Sequence, residues 1–235
     1  MLQFPSQPEK KPVPLRALPQ PSPEKIKIKM GDRWILMGTS GSGKTTALKY
    51  LDQVYTKLFP TARHYILDSK HDGDFDRFPG VICSDSAPAR PRGNARYQVW
   101  QPIKIIPDEI ERWLWDIRHD APAIVEIDEL VHLVYGRGTY SDEYNIIQKT
   151  GRSLGIGSIT LTQELSKIPS NAYKQAVHRL GFYLEGRYDK MIRNDMLKVE
   201  GKLEQPPDQY GCYYQHINGR GMPRYYSRIQ EFLGI

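Results

Sequence analysis

The sequence has few cysteines and no long apolar run. Its two cysteines, Cys83 and Cys212, lie far apart and form neither a C-x-x-C pair nor a Cys/His spacing typical of zinc ligands. Reduced thiols and no structural zinc are therefore expected. No apolar stretch approaches the ~18 residues that a membrane-spanning helix needs, and the N-terminal stretch lacks the apolar core of a signal peptide. These absences predict a soluble, intracellular protein without a membrane span.

The chain does contain enough apolar side chains for one folded core. Hydrophobic residues make up 39% of its 235 positions, and there are 15 tyrosines and 4 tryptophans. This length suits one α/β domain with extensions, or at most two small domains. The net charge of +6 and the pI of about 9.1 favour a polyanionic partner such as nucleic acid. A basic balance of this size is equally compatible with an ordinary solvated surface.

Composition divides the chain into an arm, a core and a tail. Residues 1–23 contain seven prolines among polar residues, which predicts an extended, flexible arm, with or without a docking role. Residues 24–200 form the predicted core domain, beginning at 24–30 with an alternation of lysine and apolar residues that predicts an edge strand. Residues 201–235 form a tail that we expect to fold as a β-hairpin packed on the core.

Strands and helices alternate along the core, each identified by the period of its apolar residues. Strand patterns occupy 34–37, 64–67, 97–100, 123–129, 156–162 and 179–184, and the two arms of the tail hairpin are 210–216 and 222–228. Helical patterns occupy 46–59, 107–119, 141–154, 171–177 and 188–199. This alternation predicts an α/β fold with a mainly parallel sheet flanked by helices.

The first strand leads into a glycine-rich stretch that fits the P-loop pattern G-x-x-x-x-G-K-[ST] and precedes a helical pattern. Its glycines let the backbone wrap a phosphate, with successive N–H groups pointing inward at the start of a helix. Lys44 is expected to reach the β- and γ-phosphates, and the Thr45 hydroxyl to ligate Mg²⁺. The predicted nucleotide-binding residues are Gly38, Thr39, Ser40, Gly41, Ser42, Gly43, Lys44, Thr45 and Thr46.

Two adjacent acids follow the strand pattern at 123–127. An Asp at the carboxyl end of an apolar strand can hold the Mg²⁺ coordination shell, which is the role predicted for Asp128. Glu129, on the other side of the strand, is positioned to polarise water for attack on the γ-phosphate. Glu126 interrupts the apolar run, and no catalytic role is assigned to it.

The P-loop, the Asp128-Glu129 pair and the strand ending Thr162-Gln163 resemble the additional-strand, catalytic-glutamate class of P-loop ATPases, the RecA-like class. In that class the last of these strands lies between the P-loop strand and the strand of the acids. The resemblance implies that ATP is the substrate, with Mg²⁺ as cofactor. It also implies that Gln163 is the sensor residue that hydrogen-bonds the attacking water or the γ-phosphate.

Three further stretches resemble the FtsK/HerA superfamily of DNA translocases. They are Leu67-Asp68-Ser69-Lys70, where Ser69 replaces the family's proline, the Arg152 to Gly157 stretch that leads into Leu161-Thr162-Gln163, and Ile168-Pro169. The match covers roughly residues 31 to 186. The small size of the chain is most similar to the viral genome-packaging ATPases of this superfamily.

The resemblance implies a homo-oligomeric ring, a pentamer or hexamer, that moves double-stranded DNA. A neighbouring subunit would supply an arginine to the γ-phosphate, with Arg152 as the first candidate and Arg137 as the second. Cationic loops would contact the DNA backbone, and the predicted DNA-binding residues are Arg90, Arg92, Arg96 and Arg137. A capsid or portal vertex protein is the expected further partner. The expected location is the cytoplasm of a prokaryotic host cell, the capsid vertex or the virion.

Two other functions fit the P-loop. A small-molecule or nucleotide kinase would use the same loop, although the Asp128-Glu129 pair and Gln163 argue against it. A nucleotide-gated assembly module would bind ATP without using its hydrolysis and would recruit partners through the proline-rich arm. The tail tyrosines either stack on bases or pack the hairpin on the domain.

Overall fold

The computed structural model describes residues 26–90, 95–136, 139–197, 203–218 and 223–234. Its strands are β1 (Arg33–Met37), β2 (Arg63–Leu67), β3 (Val81–Ser84), β4 (Tyr97–Pro102), β5 (Ala123–Ile127), β6 (Val134–Gly136), β7 (Thr139–Tyr140), β8 (Ile156–Thr162), β9 (His178–Gly181), β10 (Cys212–His216) and β11 (Arg224–Tyr226). Its helices are α1 (Lys44–Leu58), α2 (Pro107–Arg118), α3 (Asp142–Leu154), α4 (Ser170–Lys174), α5 (Arg187–Met196) and α6 (Ile229–Leu233).

Nine strands form one sheet in the order β11-β10-β9-β1-β8-β5-β2-β4-β3. The strands from β9 to β3 in this order pair in parallel, whereas β10 pairs antiparallel with both β9 and β11. The predicted α/β class, the largely parallel sheet and the tail hairpin are therefore confirmed. So is the position of β8, between the P-loop strand β1 and the strand β5 that precedes the acids. The carboxyl ends of β1, β8, β5 and β2 consequently lie side by side, at the end of the sheet that we call its carboxyl edge.

The sheet is covered on both faces by apolar layers. One layer packs α1, through Leu48, Leu51 and Tyr55, against alternate residues of the central strands. The other packs α2 and α3 against the remaining set, with Trp113 among the largest buried side chains. Helix α2 begins at Pro107, which needs no N–H partner at the first turn. Two covered faces explain why the residues of the central strands β5 and β8 are buried on both sides of the sheet.

Two local predictions are wrong. The described part of the segment 24–30 is not a strand, and its apolar side chains Ile26, Ile28 and Met30 pack instead against the α1 layer. The edge strands of the sheet are β11 and β3, which come from other parts of the chain. The polar loop predicted after β5 contains the short antiparallel pair β6–β7. Among the described residues, no helix has the length and apolar character needed to cross a bilayer.

Candidate nucleotide-binding site

The P-loop connects β1 to α1 at the carboxyl edge of the sheet. Gly41 and Gly43 have φ angles of 72° and 96°, in the left-handed region that side chains other than glycine rarely adopt. A Cβ on Gly38 would lie 2.5 Å from Ser42 Oγ and 2.7 Å from Phe182 Cβ. The loop can therefore close this tightly only with glycine at these positions, and its backbone curls into a concave anion site at the start of α1.

Lys44 is buried at the mouth of this loop. Its Nζ donates a hydrogen bond to the Thr39 carbonyl at 2.7 Å, so the ammonium is held across the loop. Burial lowers the pKa of Lys44 to about 8, with a further contribution from nearby Lys70, while Glu129 and Asp128 raise it. A phosphate bound in the loop would restore the favourable environment for the charged ammonium.

Asp128 directly follows β5 and is 1% exposed. Lys70 Nζ lies 3.0 Å from its Oδ2 and also donates to its backbone carbonyl at 3.0 Å. Burial raises the pKa of Asp128 to about 6, although Lys70 opposes this shift. Its Oδ1 makes no hydrogen bond within the described part of the chain. A buried carboxylate oxygen without a partner, just after the end of β5, fits a ligand of Mg²⁺, and the other predicted ligand, Thr45, stands at the start of α1.

Glu129 and Gln163 are neighbours because β8 and β5 are paired. The Gln163 backbone N–H donates to Glu129 Oε1 at 3.4 Å, and the Val131 N–H donates to the same oxygen at 3.5 Å at the start of a short 3₁₀ helix. Burial raises the pKa of Glu129 above its usual value, while Lys70 opposes the shift. The structure thus fixes a carboxylate of raised basicity beside the end of β8, where the half-buried Gln163 begins the next turn.

Some of the buried polar atoms without partners surround the P-loop. Ser42 Oγ, Asp128 Oδ1 and Thr162 Oγ1 all lack a hydrogen bond among the residues described. They belong to the P-loop, the end of β5 and the end of β8, which are adjacent in the sheet. Since buried polar groups are nearly always hydrogen-bonded, three such atoms around one loop indicate the site of a polar ligand.

Lys70 is a site residue to which the sequence analysis assigned no role. The turn after β2 is fixed by Asp68, whose Oδ1 accepts from the backbone N–H groups of Lys70 and His71 at 3.2 Å and 3.3 Å. This turn directs the Lys70 ammonium to Asp128. The signal was present in the Asp68-Ser69-Lys70 stretch that carries part of the family resemblance.

The predicted arginines that the structure describes, Arg90, Arg96 and Arg152, lie away from the P-loop of their own chain. Arg152 is exposed at the end of α3, before the first residue of β8, whereas the P-loop lies near its last residue. Seven residues of strand span roughly 23 Å, so Arg152 lies at the opposite edge from the P-loop of its own chain. Arg90 and Arg96 lie toward that same edge and donate to the carbonyls of Asp116 and Pro60. Arg92 and Arg137 fall outside the described residues.

The tail covers one side of the P-loop. A cavity of about 370 Å³ lies between residues 39–42 and residues 206–209, with Tyr183 and Glu185 also lining it. Tyr210 follows this segment with its ring against the start of α1, since a Cβ on Gly43 would lie 3.3 Å from Tyr210 Cδ1. The other tail tyrosines pack within the hairpin or against Phe232. Tyr210, 57% exposed, is the one that faces the site.

The fold and the site define a class. A P-loop between β1 and α1, acids at the end of β5, and an additional strand β8 between them are the features of P-loop NTPases of the additional-strand, catalytic-glutamate class. Comparison with solved structures shows the same α/β fold in other proteins.

No protein-family model and no curated protein matches the sequence. Among solved structures, the DNA-packaging ATPase from Sulfolobus Turreted Icosahedral Virus superposes with a TM-score of 0.65 at 17% identity, over 84% of this chain and 98% of that one. The genome packaging NTPase from Sulfolobus turreted icosahedral virus 2, in complex with AMPPCP, gives a TM-score of 0.66 at 16% identity, over 85% of this chain and 98% of that one. The cytoplasmic domain of the Type VII secretion ATPase EccC from Thermomonospora curvata gives 0.57 at 14% identity, over 85% of this chain and 26% of that one. These likenesses establish the fold.

Proposed function

We propose that this protein is an ATP-driven translocase of double-stranded DNA that packages a viral genome into a capsid. The observation that carries the proposal is the hydrogen bond beside the P-loop from the Gln163 backbone N–H to Glu129 Oε1, at 3.4 Å. A basic carboxylate beside a polar strand end near the P-loop supports a role in the attack of water on a γ-phosphate. The likeness of nearly the whole fold to viral packaging ATPases of similar size supports the same assignment.

Each step of hydrolysis has a residue in the site. The P-loop N–H groups and Lys44 bind the phosphates, and Thr45 and Asp128 hold the metal ion. The metal ion that these two residues would hold, Mg²⁺, would offset the negative charge of the phosphates. Glu129 takes the proton of the attacking water, and Gln163 hydrogen-bonds the water or the γ-phosphate. A kinase transfers the phosphate to an acceptor other than water and needs no base to activate water. The presence of Glu129 therefore favours an ATPase over a kinase.

The proposed active form is a homo-oligomeric ring with composite sites. Arg152 lies at the edge of the sheet opposite its own P-loop, so it can serve only the site of a neighbouring subunit. There it would offset the charge that develops on the γ-phosphate. Ring stoichiometry, as a pentamer or hexamer, and docking to a capsid or portal vertex belong to this proposal.

The nucleoside is proposed to bind beside the tail. Tyr210 presents an exposed ring at the start of α1, where a nucleotide held by the P-loop would extend its base. We expect Tyr210→Ala to weaken ATP affinity by about tenfold, because loss of base stacking costs roughly 1–3 kcal/mol. Inorganic triphosphate, which lacks a base, should bind both proteins equally. Equal ATP affinities in competition titrations would contradict this role for Tyr210.

The loop that contains Arg90, Arg92 and Arg96 is proposed to contact DNA phosphates. Replacing all three by glutamine should weaken duplex binding for every sequence and make it less dependent on salt. The slope of log K against log[salt] should shrink by about 0.9 for each phosphate that the variant no longer neutralises. Lys57→Gln, which removes an exposed charge at the end of α1, is the control. An unchanged slope would exclude this loop and leave Arg137 as the candidate.

Steady-state ATP hydrolysis with and without duplex DNA tests the proposed function. Duplex DNA is expected to stimulate turnover several-fold, since a motor couples its cycle to its track. A kinase would instead transfer phosphate to an added acceptor and be indifferent to DNA. A nucleotide-gated assembly module would hydrolyse little ATP and would keep its function when Glu129 is replaced by glutamine. Turnover that ignores DNA would exclude the motor.

A further inference from the structure

A buried cluster of three ionisable side chains lies between α1 and the sheet, away from the P-loop site. Asp52 comes from α1, His64 from β2 and Glu126 from β5, and they are 2%, 0% and 0% exposed. Their potential ligand atoms lie within 4.8 Å of one another. The surrounding layer between α1 and the sheet is apolar, with Leu51 and Ile124 among its members. None of the steps of ATP hydrolysis described above uses these three groups.

Both carboxylates converge on one nitrogen of the histidine. His64 Nδ1 lies 2.6 Å from Asp52 Oδ1 and 3.0 Å from Glu126 Oε1. His64 is the only ion-pair partner of either carboxylate among the residues that the structure describes. Tyr97 Oη donates to the other Asp52 oxygen at 3.0 Å and so holds that carboxylate in place. One nitrogen and two carboxylate oxygens therefore form a close, buried triangle.

A proton alone fits this triangle poorly. A histidinium ion carries one positive charge, which leaves two carboxylates with a net charge of −1, and its second N–H, on Nε2, has no partner in the described structure. The single hydrogen on Nδ1 cannot point at both oxygens, and Asp52 Oδ1 makes no hydrogen bond despite its short distance. Glu126 Oε2 also lacks a partner. Buried charges are normally paired or bound to a metal, and one imidazole nitrogen with two carboxylate oxygens within 4.8 Å of one another is a set that a metal ion could bind.

We propose that Asp52, His64 and Glu126 bind one divalent first-row transition-metal ion, of the Mn²⁺ to Zn²⁺ series. One imidazole nitrogen and two carboxylate oxygens suit such ions, whereas Mg²⁺ prefers oxygen ligands alone. Ligands about 2.1 Å from an ion stand roughly 3.0–3.4 Å apart, depending on geometry. The observed separations of 2.6 Å and 3.0 Å are slightly shorter, so an ion would require the side chains to move apart by only a few tenths of an ångström.

The ion would join the P-loop helix to the strand of the catalytic acids. Asp52 belongs to α1, which begins at Lys44, and Glu126 lies two residues before Asp128 on the same face of the strand. Two residues of strand separate the two sites by about 7 Å, so this ion is distinct from the Mg²⁺ of the nucleotide site. The sequence-based expectation of no structural zinc considered cysteine spacings and does not bear on these ligands. The inference does not depend on the proposed function.

Because the three side chains are closed to solvent, the ion would be acquired as the chain folds. The test is therefore the metal content of untagged full-length protein, purified without chelators and measured by inductively coupled plasma mass spectrometry. A Cys83→Ser background removes the exposed thiol as a source of adventitious binding. We expect about one transition-metal ion per chain. Unfolding in denaturant with a chelator, followed by refolding with and without Zn²⁺, should give a higher melting temperature in the Zn²⁺ sample.

Glu126→Gln and His64→Gln keep the side-chain size and remove a ligand, so both should lose the ion. His119→Gln, which removes an exposed imidazole at the end of α2, should keep it. If the two ligand variants fail to fold, the metal content and refolding response of the wild type decide. The proposal would be overturned if wild-type protein contained no transition metal and had the same melting temperature after refolding with and without Zn²⁺. The three side chains would then be held together by protons alone. Equal metal content in wild type and Glu126→Gln would overturn it as well.

Discussion

Replacing Glu129 by glutamine is expected to lower ATP turnover by about 10²–10⁴-fold, the usual contribution of a general base. Glutamine has the same shape, and its amide oxygen can still accept the two backbone N–H groups that now bind Glu129 Oε1. It cannot accept the proton of the attacking water. Burial raises the pKa of Glu129, which makes the native carboxylate a stronger base than one at the surface. Turnover is measured by phosphate release at saturating ATP.

The ATP affinity of Glu129→Gln should stay within a factor of a few of wild type, since the residue acts on water rather than on the nucleotide. Glu164→Gln is the matched control. Glu164 directly follows Gln163, but its side chain is exposed and pairs with Lys167 rather than with a residue of the site. Its turnover should equal that of wild type. Hydrolysis by Glu129→Gln at more than a tenth of the wild-type rate would exclude Glu129 as the base.

Replacing Arg152 by alanine is expected to lower turnover by about 10³–10⁵-fold, the range measured for arginine fingers. The loss should appear only at protein concentrations at which rings form, since Arg152 lies some 20 Å of strand away from its own P-loop. ATP binding to the single chain should not change. Lys149→Ala removes an exposed charge one turn earlier on α3 and should retain full turnover.

Mixing the two inactive variants distinguishes a finger supplied by a neighbour from a structural role. A subunit with Glu129→Gln still carries Arg152, and a subunit with Arg152→Ala still carries Glu129. Mixed rings therefore contain some interfaces at which both residues are native, and turnover should reappear above that of either variant alone. Normal turnover by Arg152→Ala in assembled rings would exclude the assignment, and failure of the mixture to recover activity would exclude a finger in trans.

The parts of the site that follow from local sequence were predictable. β8 was predicted with its observed bounds, because its apolar run ends abruptly at Thr162-Gln163. The P-loop was recognisable from glycine spacing between a strand and a helix, and α3 ends at Gly155, whose φ of 72° closes the helix as such glycines do. The position of β8 in the sheet, in contrast, came from the family resemblance, since strand order is not a local property.

What the sequence did not reveal depends on contacts between distant segments. Glu126 was visible as an interruption of an apolar strand, but its partners Asp52 and His64 come from two other elements. Lys70 stands three residues after a strand, and only the fold brings it to Asp128. Tyr210 was indistinguishable from the hairpin tyrosines by sequence. The segment 24–30 alternates like a strand, yet its apolar side chains Ile26, Ile28 and Met30 pack against the α1 layer without joining the sheet.

The central claim, that ATP hydrolysis moves this protein along double-stranded DNA, is tested most directly by triplex displacement. A third strand annealed to one end of a duplex is released when a translocase runs into it, and release is followed by fluorescence. The proposed function predicts ATP-dependent release that is abolished by Glu129→Gln and lengthens its lag as the duplex is extended. Duplex-stimulated ATP hydrolysis without any release, or release that is independent of ATP, would contradict it.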